Sequence, residues 1–151
     1  YPGGARLRGF QRAHAARGIN PHPELIVAES FLRDHAYITT SALLGLSQPP
    51  TAIIAGGIDM LSGVLRAIRT RGLTIPDDIS VVASGQSDLC DLHQPPIGVV
   101  SWDQNEVGTT AATLLLDRII RGKKDEPRRV IIPTLFDPRE TCTPPKKVQR
   151  D

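Results

Sequence analysis

Thr51–Ser84, TAIIAGGIDMLSGVLRAIRTRGLTIPDDISVVAS, reads as strand, glycine turn, helix, turn and strand. Thr51–Ala55 is a short apolar run, too short for a helix and suited to a strand buried on both faces. Gly56 and Gly57 follow, and glycine is the residue that takes positive φ without steric cost or lets a backbone approach a neighbour closely. Met60, Leu61, Val64, Leu65 and Ile68 then fall on one face of a 3.6-residue repeat. Arg69 and Arg71 suit the negative end of that helix, and Gly72 suits the position just past it. Pro76 with Asp77 and Asp78 turns the chain into a second apolar strand, Ile79–Ala83. Such a unit is parallel and carries ligand positions at the carboxyl ends of its strands.

Outward from this unit the alternation continues on both sides. Upstream, Ala5–Arg17 has Leu7, Phe10, Ala13 and Ala16 at helical spacing with Gly18 closing it. Glu24–Glu29 carries Leu25, Ile26 and Val27 and is expected to be a buried strand. Arg33–Leu46 is expected to be a helix packing through Tyr37, Ile38, Leu43 and Leu44, stopped by Gln48, Pro49 and Pro50. Downstream, Gly85–Pro96 is a polar loop of the kind that carries ligand contacts. Ile97–Trp102 is a strand, and Asp103–Arg121 an amphipathic helix with Val107, Ala111, Leu114, Leu115 and Ile119 on one side and Gly122 after it. Lys123–Arg129 is a charged turn, Val130–Ile132 a short strand, and the chain from Thr143 a frayed tail. The fold class that follows is α/β, an open parallel sheet flanked by helices. The first helix has no strand before it and the chain starts without methionine, so a fragment of a longer protein is expected.

Composition narrows the function classes. The 151 residues are 40% apolar and 23% charged, which argues against wholesale disorder. A net charge of +2, with basic residues scattered apart from Arg6, Arg8, Arg12 and the tail Lys146, Lys147 and Arg150, gives no stripe for nucleic acid. No apolar run reaches the roughly 18 to 20 residues of a membrane span, and the start lacks the hydrophobic segment of a secretion signal. Cys90 and Cys142 have no metal-ligand spacing; two thiols suggest a reducing compartment, with one disulfide left open.

Catalysis finds no footing. Neither a dinucleotide glycine motif nor a Walker sequence occurs. His14, His22, His35 and His93 show no ligand spacing, Ser84 and Ser87 no nucleophile elbow, and Asp88 and Asp91 read best as hydrated loop carboxylates. The informative set lies at strand and helix ends: Arg6, Phe31, Gly57–Asp59, Gly85–Ser87 and Trp102, five positions that a parallel sheet brings to one rim. Arginine beside a flat ring holds a polyhydroxylated ligand, the guanidinium through paired donors and the ring over the apolar face; core packing is the competing account of Phe31 and Trp102.

These segments resemble the lactose-repressor (LacI) family of bacterial transcription regulators. RLRGFQRAHAARG, Arg6–Gly18, is similar to its R-x-x-G-F-x-x-A; PTAIIAGG and M-x-x-G, Pro50–Gly63, to P-T-A-I-x-A-x-N-D-x-M-A-x-G. GLTIPDDISVVASG resembles G-x-x-V-P-x-D-x-S-V-V-G-F-D, PPIGVVSWDQNEVGTTAATLLLDRI resembles P-P-L-T-T-V with its G-x-x-A-x-x-L-L helix, and VIIPTLFDPRETC resembles P-T-x-L-V-x-R-x-S-T. The matches are collinear from Arg6 to about Cys142.

The resemblance implies a two-lobed sensor of periplasmic-binding-protein type (type I). Residues 1–98 would be carboxyl-terminal lobe, 99–128 the crossover and a helix of the amino-terminal lobe, 129–142 the return strand, and 143–151 a flexible tail. Arg6 matches an arginine on effector hydroxyls, Phe31 a stacking position, and Trp102 and Gln104 cleft positions at the crossover. Where the family has Asn-Asp this chain has Gly57 and Ile58, and where it has aspartate after the next strand this chain has Gly85; Asp59 or Gln86 is the expected substitute. Met60–Arg71 and the loop bearing Leu89, Cys90 and Leu92 match a dimer surface. The function implied is effector sensing and dimerisation by a cytoplasmic regulator that is no enzyme and needs no cofactor or metal. Its effector would be a small, sugar-like molecule, its partner a second copy, and operator DNA would be reached only through a helix-turn-helix outside this chain, with no membrane involved. The alternative is the sugar-binding protein of a transport system; an unrelated α/β enzyme ranks last.

Overall fold

The structure is a computed structural model, described here for residues 2–120 and 126–145. Helix α1 spans Pro2–Ala15 and ends at Gly18, whose φ of 66° is the left-handed conformation expected of a glycine after a helix. Helix α2 spans Arg33–Leu43, strand β1 Ala52–Ala55, helix α3 Ile58–Thr70 and strand β2 Ser80–Ser84. Gly72, with φ 68°, closes α3 as anticipated. A short helix α4, Asp88–Leu92, forms inside the loop expected to be irregular. Strand β3 is Gly98–Trp102, helix α5 Gln104–Ile120 and strand β4 Thr134–Asp137.

The sheet order is β1-β2-β3-β4. The first three strands are parallel, so the sheet is open and mostly parallel as the alternation implied, but β4 runs antiparallel to β3. That return strand lies at Thr134–Asp137 rather than at 130–132, because it begins only where the chain comes level with Trp102.

The core sits between the sheet and α3. Leu61, Val64, Ala67 and Ile68 of α3 are buried with Ala55 of β1, Val81 and Ala83 of β2, and Val99 of β3. α2 stacks on α3 through Ala36, Thr40 and Leu44, a stripe at i, i+4 and i+8. Ile38, expected to pack, points away and is 64% exposed, since it lies on the opposite side of that stripe. Gly63 explains the close approach: a Cβ there would stand 2.2 Å from the Arg33 carbonyl oxygen. At the far end of the pair Arg71 donates to the carbonyls of Ser41 and Leu44 at 2.8 and 3.3 Å, capping the last turn of α2 rather than serving its own helix alone.

Two other expectations need correction. Residues 24–29 do not form a strand: Pro23–Leu25 is a 3-10 turn, and Ile26 has extended dihedrals without joining the sheet. A strand exists through its ladder, and among the described residues only β2 pairs with β1. The chain past Cys142 is also held at its start. Thr143 exchanges hydrogen bonds with Ser80 at 3.1 Å, the amide donating to Oγ and the carbonyl accepting from it. Gly122, the first three residues of the charged turn and the greater part of the tail, with Lys146, Lys147 and Arg150, lie outside the described residues.

Candidate functional site

The carboxyl ends of the three parallel strands set the site. Ala55 of β1 pairs with Ala83, and Ser84 of β2 pairs with Val100. β3 therefore continues two residues further and carries Trp102 about 7 Å past that level, at about 3.3 Å per residue. Asp103 then caps α5: its Oδ1 accepts from the Glu106 amide at 2.9 Å. The strand thus passes into helix directly beyond the rim.

Gly57 is the N-cap of α3, with extended dihedrals of −164° and 161°, and neither it nor Gly56 has positive φ. Its missing side chain serves space: a Cβ at Gly57 would lie 3.1 Å from Phe31 Cδ1, and one at Gly56 would lie 3.8 Å from Phe31 Cε1. The glycines give the ring room to lie over the start of α3. Phe31 arrives there from the irregular segment before α2, and the Arg6 guanidinium stands 5.8 Å from its ring centroid, within cation–π reach. α1 begins at Pro2, so Arg6 projects from its body rather than from its first residue.

Gly85 does adopt positive φ, 110°. The space beside it is filled: a Cβ would meet Ile58 Cγ1 at 3.2 Å, Ile58 Cδ1 at 3.3 Å and Trp102 Cη2 at 3.7 Å. Arg6, Phe31, Gly57, Ile58, Gly85 and Trp102 therefore form one continuous patch, drawn from segments scattered across the first two thirds of the sequence. Ile58 entered the sequence reading only within Gly57–Asp59 and as a departure from the family pattern; its packing against Gly85 is visible only once β1 and β2 are paired.

The remaining residues singled out stand elsewhere or outward. Asp59 is exposed in the first turn of α3, and Gln104 is exposed at the start of α5. Gln86 is engaged: its Nε2 donates to both carboxylate oxygens of Asp91 at 2.8 Å, and its Oε1 accepts from Arg139 at 3.0 Å. Arg139 also pairs with Asp91 at 2.8 Å and with Asp137 at 3.4 Å. The sequence reading missed this arginine, although it falls in the segment resembling P-T-x-L-V-x-R. It fixes α4 to the end of β4 and sits at a φ of 45° to do so.

On the surface matched to dimerisation, Cys90 is fully buried and the apolar face of α3 is turned inward, while Leu92 is 77% exposed and Leu89 borders on exposure. Both cysteines are free, and burial pushes the Cys142 thiol above its ordinary range. Among the described residues no group of three His, Cys, Asp or Glu side chains gathers as a metal site, and no helix is long and apolar enough to cross a membrane.

Residues 1–142 match the model of the periplasmic binding protein-like domain. The chain is 30% identical over 148 residues to the HTH-type transcriptional repressor PurR of Erwinia tasmaniensis, covering 98% of this chain and 43% of that protein. It is 34% identical over 127 residues to the PurR repressor of Aliivibrio fischeri, covering 83% and 37%. Among solved structures it superposes on a LacI family transcriptional regulator from Enterococcus faecium with bound ribose, with TM-score 0.81, 30% identity and coverage of 95% of this chain and 53% of that one. A transcriptional regulator CelR–cellobiose complex gives TM-score 0.82 at 29% identity, covering 91% and 42%. The chain spans less than half the length of the curated relatives it matches.

Proposed function

The chain belongs to the periplasmic binding protein-like domain family, and we propose that it is the effector-sensing part of a LacI/PurR-type transcription regulator in the cytoplasm. In this reading residues 1–98 belong to one lobe, 99–128 carry the crossover and a helix of the second lobe, 129–142 return, and 143–151 trail. A small polar ligand, sugar-like in size and in presenting a flat face, binds at the strand-end rim and is covered by the second lobe. Two copies associate through the surface that includes Leu89 and Leu92. DNA is reached through a helix-turn-helix carried elsewhere in the protein.

The observation that carries this reading is the arginine–aromatic patch at the carboxyl ends of parallel strands, Arg6 over Phe31 and Ile58 between Gly85 and Trp102, which is where open α/β sheets hold ligands. Two neighbours contain ribose and cellobiose, and the relatives are repressors and regulators rather than enzymes. Ligand would act by favouring one angle between lobes, a coupling typically worth about 1–3 kcal/mol.

Thermal unfolding of the full-length protein with a panel of sugars, sugar phosphates and purines tests it. A ligand at about 100 times its Kd adds about 2.7 kcal/mol, raising the midpoint by roughly 5–10 °C, and Arg6→Ala should remove that rise. A panel without effect on either protein would count against an effector site.

A further inference from the structure

Building on the effector-binding reading above, we propose that the cleft takes an anionic ligand with a flat apolar body, such as an aromatic carboxylate, in preference to a neutral sugar. The floor of the patch is the first reason. At the two places where the lactose-repressor pattern has aspartates, this chain has Ile58 and Gly85, and the two residues fit each other: the isoleucine Cγ1 methylene and Cδ1 methyl lie 3.2 and 3.3 Å from where a Gly85 Cβ would stand. The aliphatic chain occupies the room that the glycine leaves, and Trp102 closes the same space from β3. Hydroxyl acceptors have been exchanged for a packed apolar surface.

Of the two expected substitutes, Asp59 is exposed in the first turn of α3 and Gln86 is already engaged. The Gln86 amide is used at both ends by Asp91 and Arg139, and Asp91 is neutralised by the same arginine. A sugar ring laid on this floor would bury hydroxyls without partners, and a site lacking the partner of a hydroxyl loses its grip on that group. A flat ring loses nothing there and covers Ile58 and Trp102 instead.

Charge is the second reason. Arg6 is the basic group at this patch, and among the described residues it forms no ion pair. A guanidinium free to present paired N–H donors beside an aromatic face is matched by a carboxylate or phosphate attached to a ring. With acceptors gone and the cation retained, the complement of the patch is anionic and planar.

Isothermal titration of the full-length protein with benzoate, phenyl phosphate, ribose and cellobiose tests this. Benzoate or phenyl phosphate is expected to bind at least about tenfold more tightly than either sugar, and Arg6→Ala to weaken that binding by about tenfold or more. Ile58→Asp should weaken it by about tenfold or more by setting a carboxylate beside the ligand's charge. Ile58 is 41% exposed at the first turn of α3, where an aspartate suits the helix dipole, so this variant is expected to fold. Ribose or cellobiose binding more tightly than both anions, in an Arg6-dependent way, would overturn this inference and leave the effector reading standing. Anion binding that Ile58→Asp leaves unchanged would overturn it as well. Failure of all four probes, or binding indifferent to Arg6→Ala, would overturn this inference, while the effector reading stands or falls on the wider panel above.

Discussion

Small residues show how far a single position can be read. Thr141 is fully buried, and its hydroxyl accepts from the Gly98 amide at 2.7 Å while donating to the Val81 carbonyl at 2.8 Å. It thereby joins the start of β3 to β2. Thr141→Val keeps the shape and orphans both groups, so denaturant unfolding should show a loss of about 1–3 kcal/mol. Gly63→Ala should cost a similar amount, about 1–3 kcal/mol or more, because its Cβ would press on backbone rather than on a movable side chain. Neither role was legible in the sequence, since the partner of each lies on another element. Gly72 and Gly18 were legible because a helix end needs only local geometry. Gly57 lay between these cases. Its place at the site could be read, but its purpose is clearance for Phe31, not a positive φ. Cys142 adds a pH dependence of definite sign. Burial raises its thiol pKa in the folded state, so its share of stability is whole below the ordinary thiol pKa and is lost as pH rises through the folded value. Alkylation by iodoacetamide at mildly alkaline pH should accordingly be slower in the native protein than in urea.

At the level of elements, periodicity predicted type and location well and environment less well. β1, α3 and β2 came out as a unit because two short apolar runs flank a strong 3.6-residue pattern there. α5 has an equally clear pattern, yet Val107, Leu115, Leu116, Ile119 and Ile120 are all exposed and no residue of the helix is buried. An amphipathic stripe announces a partner without saying where it is; under the proposed division of the chain, that partner is the second lobe. Leu115→Glu with Ile119→Glu should consequently leave the local stability of α2, α3 and the sheet unchanged by hydrogen exchange while lowering ligand affinity in the full-length protein. The strand expected at 24–29 failed for the converse reason. Its composition suits a strand, but composition cannot supply the neighbour that a ladder requires. α4 was hidden in a polar loop because its single turn is held by Cys90 beneath and Arg139 beside it, contacts that arrive from distant sequence.

For the whole molecule, the open edge of β1 and the rim at its end belong to different faces of function. β1 pairs only with β2 among the described residues, and Ile54 is 59% exposed. An uncovered apolar edge invites another strand. The chain of residues 1–151 by itself is expected to associate at micromolar concentrations by light scattering, and Ile54→Lys to reduce that association. In the full-length protein a dimer through Leu92 should instead respond to Leu92→Glu, which sizing chromatography would register as a shift toward monomer. The rim was legible as a list of positions, because strand ends can be counted along a sequence. Its chemistry was not, because the pairing of Ile58 with Gly85 depends on β1 and β2 lying in register.

The ladder that joins Trp102 to Thr134 has a further consequence. Everything from Asp103 to Pro133 leaves and returns at adjacent points of one antiparallel pair, so in topological terms it is the loop of a β-hairpin, however long. A hairpin can be closed by as few as two residues. Cutting out 103–133 and joining the strands with Asn-Gly should yield a smaller, self-contained lobe. Conversely, the same two points form a socket into which an unrelated helix or a reporter domain could be spliced, turning the excursion into a modular port.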